Sequence, residues 1–342
     1  LRKLLSDSGY KQIQFHLPLP DYKLTTSVIT SSGMNNPNFD PAPIIKESFM
    51  HDPQIPQNIV FVPELTSESI IRNQLGTDFS NSFLVIASPK NCNLFDPKSL
   101  GWHFSTNRRS AFCKSIEFRT TSTGKVSKIA NRMSNQSIEG FISWRIEEID
   151  GENYIRGALL QDEVRELISC DLWSHAQLKQ IFIKYLEFIK LFSVGESDVT
   201  NENLDLTVQG FCLDLIPKNI LVKEDGTLAE FDLEWISKEP ISAKHCVFRS
   251  VLSFGGFAYW GHDEFGHSHS FYSLLTLICE FLELEISNDQ IVEFLQFESQ
   301  FQYFVTQNSA SLDLDLEWMM RVPGRKKFDS RQVTVAVAER DA

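Results

Sequence analysis

One stretch of the chain carries most of the information about its fold: Asp214-Leu-Ile-Pro-Lys-Asn219-Ile-Leu-Val222, with Asp232 following thirteen residues after Asn219. The apolar triplet that ends at Val222 is typical of a short β-strand. The Glu-Asp-Gly sequence that ends at Gly226 is a turn signal, and the apolar run after it predicts a returning strand. Such a hairpin would carry Asn219 and Asp232 back to the same end.

The order of polar residues in this stretch indicates a particular chemistry. An acidic residue, four spacers, an amide, an apolar strand and a second acidic residue form the active-site pattern of kinase-type phosphotransferases. In that pattern Asp214 accepts the proton of the attacking hydroxyl, and Asn219 and Asp232 hold Mg²⁺. The alternative is an ordinary hairpin with polar residues at its mouth, since such residues are common in loops. The conjunction of Pro217, the triplet, the turn and the second Asp favours the phosphotransferase.

Length and charge limit the function classes. The 342 residues suffice for two domains, each with its own core. The net charge is −13, from 32 basic and 45 acidic side chains. This balance argues against a nucleic-acid-binding protein, because phosphate contacts need clustered Lys and Arg. It does not exclude ATP, which arrives with Mg²⁺ and needs only a local positive site.

Cysteine spacing and hydropathy bear on the compartment. The six cysteines are scattered without a C-x-x-C pair, so we expect reduced thiols in a cytoplasmic protein. No apolar run reaches the ~18 residues of a membrane span, and no signal peptide is visible. The chain opens mid-pattern at Leu1, as though inside a helix, so we expect a piece of a longer polypeptide.

The first 90 residues predict a mixture of elements. A helix at the start is followed by strands around Ile13 and Val28, and six prolines between positions 33 and 63 predict an extended loop or insertion. Residues 64–75 could form a helix. Residues 82–87 predict a buried strand.

A break rich in Pro and Asn at about 90–98 is the predicted domain boundary. Beyond it a strand-rich half precedes a helix-rich half, and the Asp214 motif lies at the start of the latter, which predicts a two-lobed, kinase-like arrangement. The strand candidates are 101–106, 111–119, 125–130, 141–148 and 153–157, and the main helix candidates are 175–192, 271–284 and 289–305.

The motif Asp214…Asn219…Asp232-Leu-Glu234-Trp235 resembles the kinase-like domain of bacterial bifunctional proteins that modify surface polysaccharides. Those proteins fuse an S-adenosylmethionine-dependent methyltransferase to a kinase-like phosphotransferase, and the O-antigen chain-terminating methyltransferase–kinases are their best-known members.

The N-terminal part resembles the last helix and closing strands of the Rossmann-like methyltransferase, through Gly9-Tyr10, Phe15, the stretch from Pro18 to Leu24, and residues 82–87. The resemblance implies an α+β chain. Its expected parts are a methyltransferase C-terminal remnant with a Pro-rich insertion at 1–92, a two-lobed protein-kinase-like domain at 93–325, and a tail at 326–342.

The resemblance also implies roles for single residues. Asp214 would be the catalytic base, Asn219 and Asp232 the Mg²⁺ ligands, and Glu234 an aid to a second metal. Lys128 would hold the α- and β-phosphates of ATP.

Other expected parts of the nucleotide site are less sharply defined. Lys125 competes with Lys128 for the phosphates, and Glu139 is the candidate acidic partner of that lysine, although the helical signal around Glu139 is poor. Residues 102–109 resemble the hairpin that covers the nucleotide, and the adenine-binding hinge is expected between 147 and 160.

Several features depart from the family pattern. Residues 101–120 contain no glycine-rich phosphate loop, Cys212 and Leu213 precede the catalytic Asp, and Leu-Glu follows Asp232. These departures argue against a protein kinase and leave room for an inactive domain. A glycine-rich S-adenosylmethionine loop is absent from 1–92, so we expect no methyl transfer by this chain alone.

Two further groups have two interpretations each, and a third has one. The stretch from Gly261 to His269 is rich in metal-ligand types, but without a further Cys or His cluster to complete a site the sequence favours a glycine-punctuated surface loop, which in a kinase-like fold could line the acceptor pocket. Arg249, in an apolar stretch, could bind a phosphate or sugar carboxylate, or form a buried ion pair. The basic cluster from Arg321 to Lys327 is expected to be solvated.

The expected function is an ATP- and Mg²⁺-dependent phosphotransferase acting on a hydroxyl of a sugar or surface glycan in polysaccharide biosynthesis. The alternative is an inactive kinase-like module that binds glycan or scaffolds a neighbouring methyltransferase or glycosyltransferase. The resemblance allows peripheral association with the inner membrane through partner proteins.

Overall fold

The computed structural model describes most of the 342-residue chain, namely residues 1–50, 56–80, 82–92, 95–146, 152–194, 206–308, 314–324 and 326–327. These residues form a mixed α+β protein with an antiparallel main sheet. The helices are α1 (Arg2–Asp7), α2 (Ser31–Asn35), α3 (Ala42–Met50), α4 (Pro63–Arg72), α5 (Leu160–Ile168), α6 (His175–Lys190), α7 (Ala243–Ser253), α8 (Phe271–Phe281), α9 (Asn288–Thr306) and α10 (Leu316–Met319). The strands are β1 (Gln12–Leu19), β2 (Ser27–Thr30), β3 (Asn58–Ile59), β4 (Leu84–Ser88), β5 (Ser99–Ser105), β6 (Lys114–Thr120), β7 (Val126–Arg132), β8 (Ile142–Trp144), β9 (Glu152–Asn153), β10 (Ala158–Leu159), β11 (Thr207–Val208), β12 (Ile220–Val222), β13 (Leu228–Glu230), β14 (Trp235–Ser237), β15 (Ile241–Ser242) and β16 (Lys326–Lys327).

The main sheet has seven strands in the order β4-β1-β2-β5-β6-β7-β9. The strands β2 and β5 pair in antiparallel register, with Ser27 opposite His103. Strands from both sides of the predicted boundary at 90–98 therefore share one sheet. The division of the chain into domains stays a prediction.

The β6–β7 hairpin presents two lysines on one face of this sheet. Lys128 lies directly opposite Phe118, and opposite residues in an antiparallel pair share a face. Lys114 and Ile116 lie on the same face, because they precede Phe118 by four and two residues in β6. Ile116 and Phe118 are buried in a core with residues of β1, β2 and β5. The two lysines thus extend from a face that also carries the apolar side chains of Ile116 and Phe118.

A larger core lies among the helices α5 to α9. Each large apolar side chain buried in this core stabilises the folded state by roughly 1.5–3 kcal/mol. Within this core, Tyr185 of α6 donates from its hydroxyl to the carbonyl oxygens of Leu215 at 3.0 Å and Cys246 at 3.3 Å. The segment that carries the Asp214 motif is therefore anchored to two helices. Representative core residues are Val164, Phe182, Phe248, Leu274 and Leu295.

The hairpin predicted after Asn219 is confirmed. The strands β12 and β13 pair with Ile220 opposite Glu230, and Gly226 occupies the turn with a φ of 79°, where glycine is favoured. The N–H of Phe231 donates to the carbonyl oxygen of Asn219 at 3.1 Å. The two ends of the hairpin meet, as the sequence predicted.

The extended loop predicted for residues 33–63 is wrong, because α3 occupies much of it. Pro43 lies in the first turn of α3, where a helix does not need the missing N–H. The ammonium group of Lys46 in α3 lies 3.5 Å from the carboxylate of Asp162 in α5. This ion pair links the segment to the helical core.

Most of the other predicted elements are observed within a few residues of their predicted bounds. The strand predicted at 82–87 is observed as β4, but the prediction that it is buried is wrong, because β4 is an edge strand whose residues are exposed or half-buried. The strand predicted at 153–157 is limited to β9. Further exceptions lie near residue 145: β8 is short and pairs with β14 outside the main sheet, and residues 147–151 fall outside the described residues. In the C-terminal tail β16 pairs in parallel with β3, and residues 328–342 lie outside the described residues.

All six cysteines are free thiols. Among the described helices, none combines the length and apolarity needed to cross a membrane.

Candidate functional site

Short 3₁₀ turns and a hairpin position the residues of the Asp214 motif. Asp214 ends one such turn, Gly210–Asp214, and Asn219 ends the next, Pro217–Asn219. The side-chain amide of Asn219 donates through Nδ2 to the backbone carbonyl of Asp214 at 2.8 Å. Because the nitrogen is engaged with backbone, the amide oxygen is the atom that Asn219 can offer to a cation.

Asp214 lies in a nearly closed environment. Its side chain is buried, and Oδ2 accepts the backbone N–H groups of Glu234 at 2.8 Å and Trp235 at 3.3 Å. Burial raises the pKa of Asp214 to about 6, although the Arg249 guanidinium and the Glu234 N–H oppose this rise. A carboxyl group with a pKa near neutrality is suited to accept and release a proton.

Arg249 is buried and forms a hydrogen bond with the backbone just before Asp214. Its guanidinium donates to the carbonyl oxygen of Leu213, and its Nε lies 3.0 Å from Oε2 of Glu298. Of the two interpretations of this arginine, the structure shows the buried ion pair. Arg249 therefore acts on the motif through the position of the loop.

Asp232 is held by two lysines from the main sheet. Lys114 Nζ lies 3.0 and 3.1 Å from its two carboxylate oxygens, and Lys128 Nζ lies 2.5 Å from Oδ1. Burial alone would raise the pKa of Asp232, but the two ammonium groups outweigh it and hold that pKa well below its usual range. Asp232 is therefore ionised at neutral pH.

The backbone of Asp232 is strained. Its φ of 54° is in the left-handed region, which costs a residue other than glycine roughly 1–2 kcal/mol. Such conformations persist only where the surroundings enforce them, and they cluster at functional sites. The lysine contacts supply part of that enforcement.

Glu234 completes the cluster two residues later. Its carboxylate contacts Lys114 Nζ, accepts from Arg108 Nη1 at 2.6 Å, and accepts from Trp144 Nε1 at 3.0 Å. Burial would raise the pKa of Glu234, yet Lys114 and then Arg108 bring it below its usual range against the repulsion of Asp232. Burial also opposes charge on Lys114, but the two carboxylates raise its pKa and keep it protonated.

Three cations thus face the two carboxylates of Asp232 and Glu234. This local surplus of positive charge lies on a chain whose net charge is −13. A local group of cations of this kind can attract an anion such as a polyphosphate despite the overall negative charge. The cations are Arg108, Lys114 and Lys128.

Two of the predicted site residues lie apart from the cluster. Lys125 is exposed in the turn before β7, so of the two competing lysines it is Lys128 that reaches the motif. Glu139 is exposed, and residues 133–141 form no helix. The helix expected around Glu139 is therefore absent from these described residues, and a carboxylate that Lys128 does contact is that of Asp232. Part of the predicted hinge, 147–151, lies outside the described residues.

Sequence reasoning missed Lys114. A signal for it existed, because Lys114 shares the alternation of Ile116 and Phe118, the apolar phase of the strand. A lysine in that phase must be buried and paired. Its partners lie 118 and 120 residues away, which no local pattern indicates.

The structure brings the histidine-rich loop together with a residue from elsewhere. His175, the first residue of α6, lies beside Asp263 and His269, and one ligand-type atom from each lies within 4.8 Å of the others. A surface groove of about 470 Å³ runs nearby, lined among others by Glu166, Asp171 and Trp173. None of the Asp214 motif residues line this groove.

Comparisons of the chain with models of known families, with curated proteins and with solved structures return no match.

Proposed function

We propose that this protein is an ATP- and Mg²⁺-dependent phosphotransferase with a two-lobed, kinase-like architecture. The observation that carries the proposal is the convergence of Asp214, Asn219 and Asp232 with two lysines from the main sheet. The cluster lies between the antiparallel sheet, which supplies the lysines, and the helical core, which anchors the Asp214 segment.

The donor set of this cluster fits Mg²⁺. The available ligands are the carboxylates of Asp232 and Glu234 and the amide oxygen of Asn219, all hard oxygen donors of the kind Mg²⁺ prefers. Asn219 and Asp232 would hold the ion, with Glu234 close enough to assist. When bound, Mg²⁺ neutralises the charge that develops on the phosphates during transfer.

The lysines fit the phosphates of the nucleotide. Lys114 is buried and Lys128 is nearly so, with side-chain exposures of 3% and 14%. A desolvated ammonium group interacts more strongly with a phosphate oxygen than an exposed one does. Both lysines lie on one sheet face, which fixes where the phosphates would lie.

Asp214 is the candidate base. Two backbone N–H groups on Oδ2 fix the orientation of its carboxylate, so Oδ1 is the oxygen that could accept a proton from a hydroxyl. With a pKa of about 6, this carboxyl group is mostly ionised at neutral pH and can still take up a proton.

The acceptor class comes from the motif resemblance, which implies a sugar or surface-glycan hydroxyl in a methyltransferase–kinase type protein. Within that proposal the N-terminal helix α1 and strands β1, β2 and β4 are the closing elements of the methyltransferase. No methyl transfer is proposed for this chain.

A second candidate function is an inactive kinase-like module that binds glycan or scaffolds a transferase. Two observations favour it. The lysines and carboxylates already neutralise one another, and Asp214 is only 5% exposed. A hydroxyl can reach Asp214 only if its surroundings open.

A phosphotransferase turns over ATP, whereas an inactive kinase-like module only binds its ligand. The proposed enzyme releases or transfers the γ-phosphate of ATP in the presence of Mg²⁺, and Asp214→Asn lowers that rate by about 10²–10⁴-fold, the usual contribution of a general base. Asp225→Asn, in the exposed turn of the same hairpin, is the matched control and should leave the rate unchanged. Nucleotide binding without any Asp214-dependent turnover would establish the inactive module instead.

A further inference from the structure

The histidine-rich loop forms a second polar cluster around Asp263. His175 Nε2 lies 2.8 Å from Asp263 Oδ2, and His269 Nε2 lies 3.0 Å from the same oxygen. The exposed His267 contributes Nδ1 at 3.5 Å. Three imidazoles therefore converge on one oxygen of a carboxylate that is fully buried.

The other carboxylate oxygen of Asp263, Oδ1, already accepts two hydrogen bonds. Asp263 Oδ1 accepts the backbone N–H groups of Phe265 at 2.9 Å and His267 at 2.8 Å. This fixes the carboxylate and leaves Oδ2 as the atom shared by the imidazoles. The side chains that the structure shows on Oδ2 are imidazoles, whose nitrogens are also the commonest protein ligands of transition metals.

Hydrogen bonds between two chain segments hold the residues of the cluster in place. The Glu264 N–H donates to the carbonyl of Trp173 at 2.9 Å, and the Trp173 ring donates through Nε1 to the carbonyl of Gly261 at 3.0 Å. The N–H of His175 donates in turn to the Glu264 carboxylate at 3.0 Å. Ligands held on such a prearranged frame lose little freedom on binding a metal.

We infer that His175, Asp263 and His269 form a binding site for a divalent transition metal of the Zn²⁺ type. The ligand atoms are the two Nε2 atoms and Oδ2. Around a tetrahedral Zn²⁺, with bonds of about 2.0 Å, ligand atoms lie about 3.3 Å apart. The two nitrogen–oxygen distances of 2.8 and 3.0 Å reach that spacing with an outward shift of a few tenths of an ångström.

The chemistry of the donors distinguishes this site from the Asp232 cluster. Two imidazoles and one carboxylate suit Zn²⁺ and its neighbours in the first transition row, whereas Mg²⁺ prefers oxygen donors alone. Three protein ligands leave the fourth position for water. The inference is independent of the proposed phosphotransferase activity.

The test uses the whole chain after removal of metal with a chelator. Titration with Zn²⁺ against a chromophoric indicator should show one equivalent bound. His175→Gln and His269→Gln should each weaken that binding by more than the roughly 10–100-fold typical of losing an outer-shell partner. His262→Gln is the matched control, because His262 is exposed and contacts Asp171 instead. Circular dichroism checks that each variant is folded.

A measurement on the wild-type chain tests for the metal site even if the variants fail to fold. Co²⁺ bound at this site should give the visible absorption of a low-coordinate nitrogen and oxygen complex, without a thiolate charge-transfer band. Absence of binding, a thiolate band, or equal affinity in wild type, His175→Gln and His269→Gln would overturn the inference. In the absence of metal binding, the cluster is a hydrogen-bonded network around the Asp263 carboxylate.

Discussion

Asp232 and Asp263 are both carboxylates on which basic side chains converge, but the groups around them differ in chemistry. Asp232 faces two ammonium groups and retains 27% side-chain exposure. Asp263 faces imidazoles and is fully buried. Ammonium groups can exchange a carboxylate for a phosphate, whereas imidazole nitrogens are lone-pair donors to transition metals. The type of partner, more than the carboxylate itself, therefore determines which ligand each cluster can take.

The first prediction concerns the buried charges around Asp232. Lys114→Met leaves Asp232 and Glu234 short of a cation inside the protein, and breaking a buried pair from one side typically costs about 3–5 kcal/mol. We expect a fall of that size in the free energy of unfolding, measured with denaturant.

The control for this prediction is Lys125→Met, at an exposed turn position, which should change stability by less than about 0.5 kcal/mol. Equal effects of the two substitutions would show that the Lys114 contacts do not hold the cluster together.

The second prediction separates the two lysines that competed for the phosphate role. Because Lys128 contacts Asp232 and Lys125 does not, Lys128→Met should lower kcat/KM for Mg·ATP by about 10²–10³-fold, as for other preorganised electrostatic groups. Lys125→Met should leave it unchanged. Steady-state kinetics with both variants checks this, and a larger loss in Lys125→Met would contradict the assignment.

The third prediction concerns pH and Asp214. Its pKa rises on folding from the usual value near 3.9 to about 6, so the folded state favours the protonated form. The stabilisation is complete below about pH 4 and is lost as the pH rises to about 6, an effect on the order of 2–3 kcal/mol.

Asp214→Asn should flatten the dependence of unfolding free energy on pH across this window, while Asp225→Asn should not. An unchanged slope in Asp214→Asn, measured by denaturant titration at several pH values, would show that the pKa of Asp214 is not raised.

The smallest effect is expected at the loop that carries Asp263. A Cβ atom added at Gly261 would lie 2.1 Å from the carbonyl oxygen of Cys170, so Gly261→Ala must displace the loop, at a cost of about 1–3 kcal/mol. His262→Ala, at the next and exposed position, should cost less than about 0.5 kcal/mol. Thermal unfolding compares the two, and Mg·ATP binding at the Asp232 cluster should survive both.

The two clusters also differ in how far the sequence predicted them. Asp214, Asn219 and Asp232 belong to one local motif, and a hairpin with a recognisable turn brings the last two together. Local periodicity and turn chemistry suffice for such a site. The contacts of Lys114 and Lys128 are harder to predict from the sequence, because their approach to Asp232 depends on how the sheet packs against the helical part.

The Asp263 cluster shows where sequence reasoning stops. The loop from Gly261 to His269 is visible as a run of ligand types, but His175 lies 88 residues away from Asp263 at the start of a helix. Nothing near His175 distinguishes it from a helix-terminal surface residue. The prediction for the proline-rich segment fails for a different reason. Its prolines predict an extended loop, but Pro43 lies in the first turn of α3, where proline is compatible with a helix.

The most direct test of the central claim is thermal unfolding with and without Mg·ATP on the wild-type chain, Asp232→Ala and Asp263→Asn. A ligand at a hundred times its Kd adds about 2.7 kcal/mol of stability. We predict a Mg²⁺-dependent upward shift in wild type and Asp263→Asn that disappears in Asp232→Ala. No shift in wild type, or a shift that persists in Asp232→Ala, would contradict a nucleotide site at the Asp232 cluster.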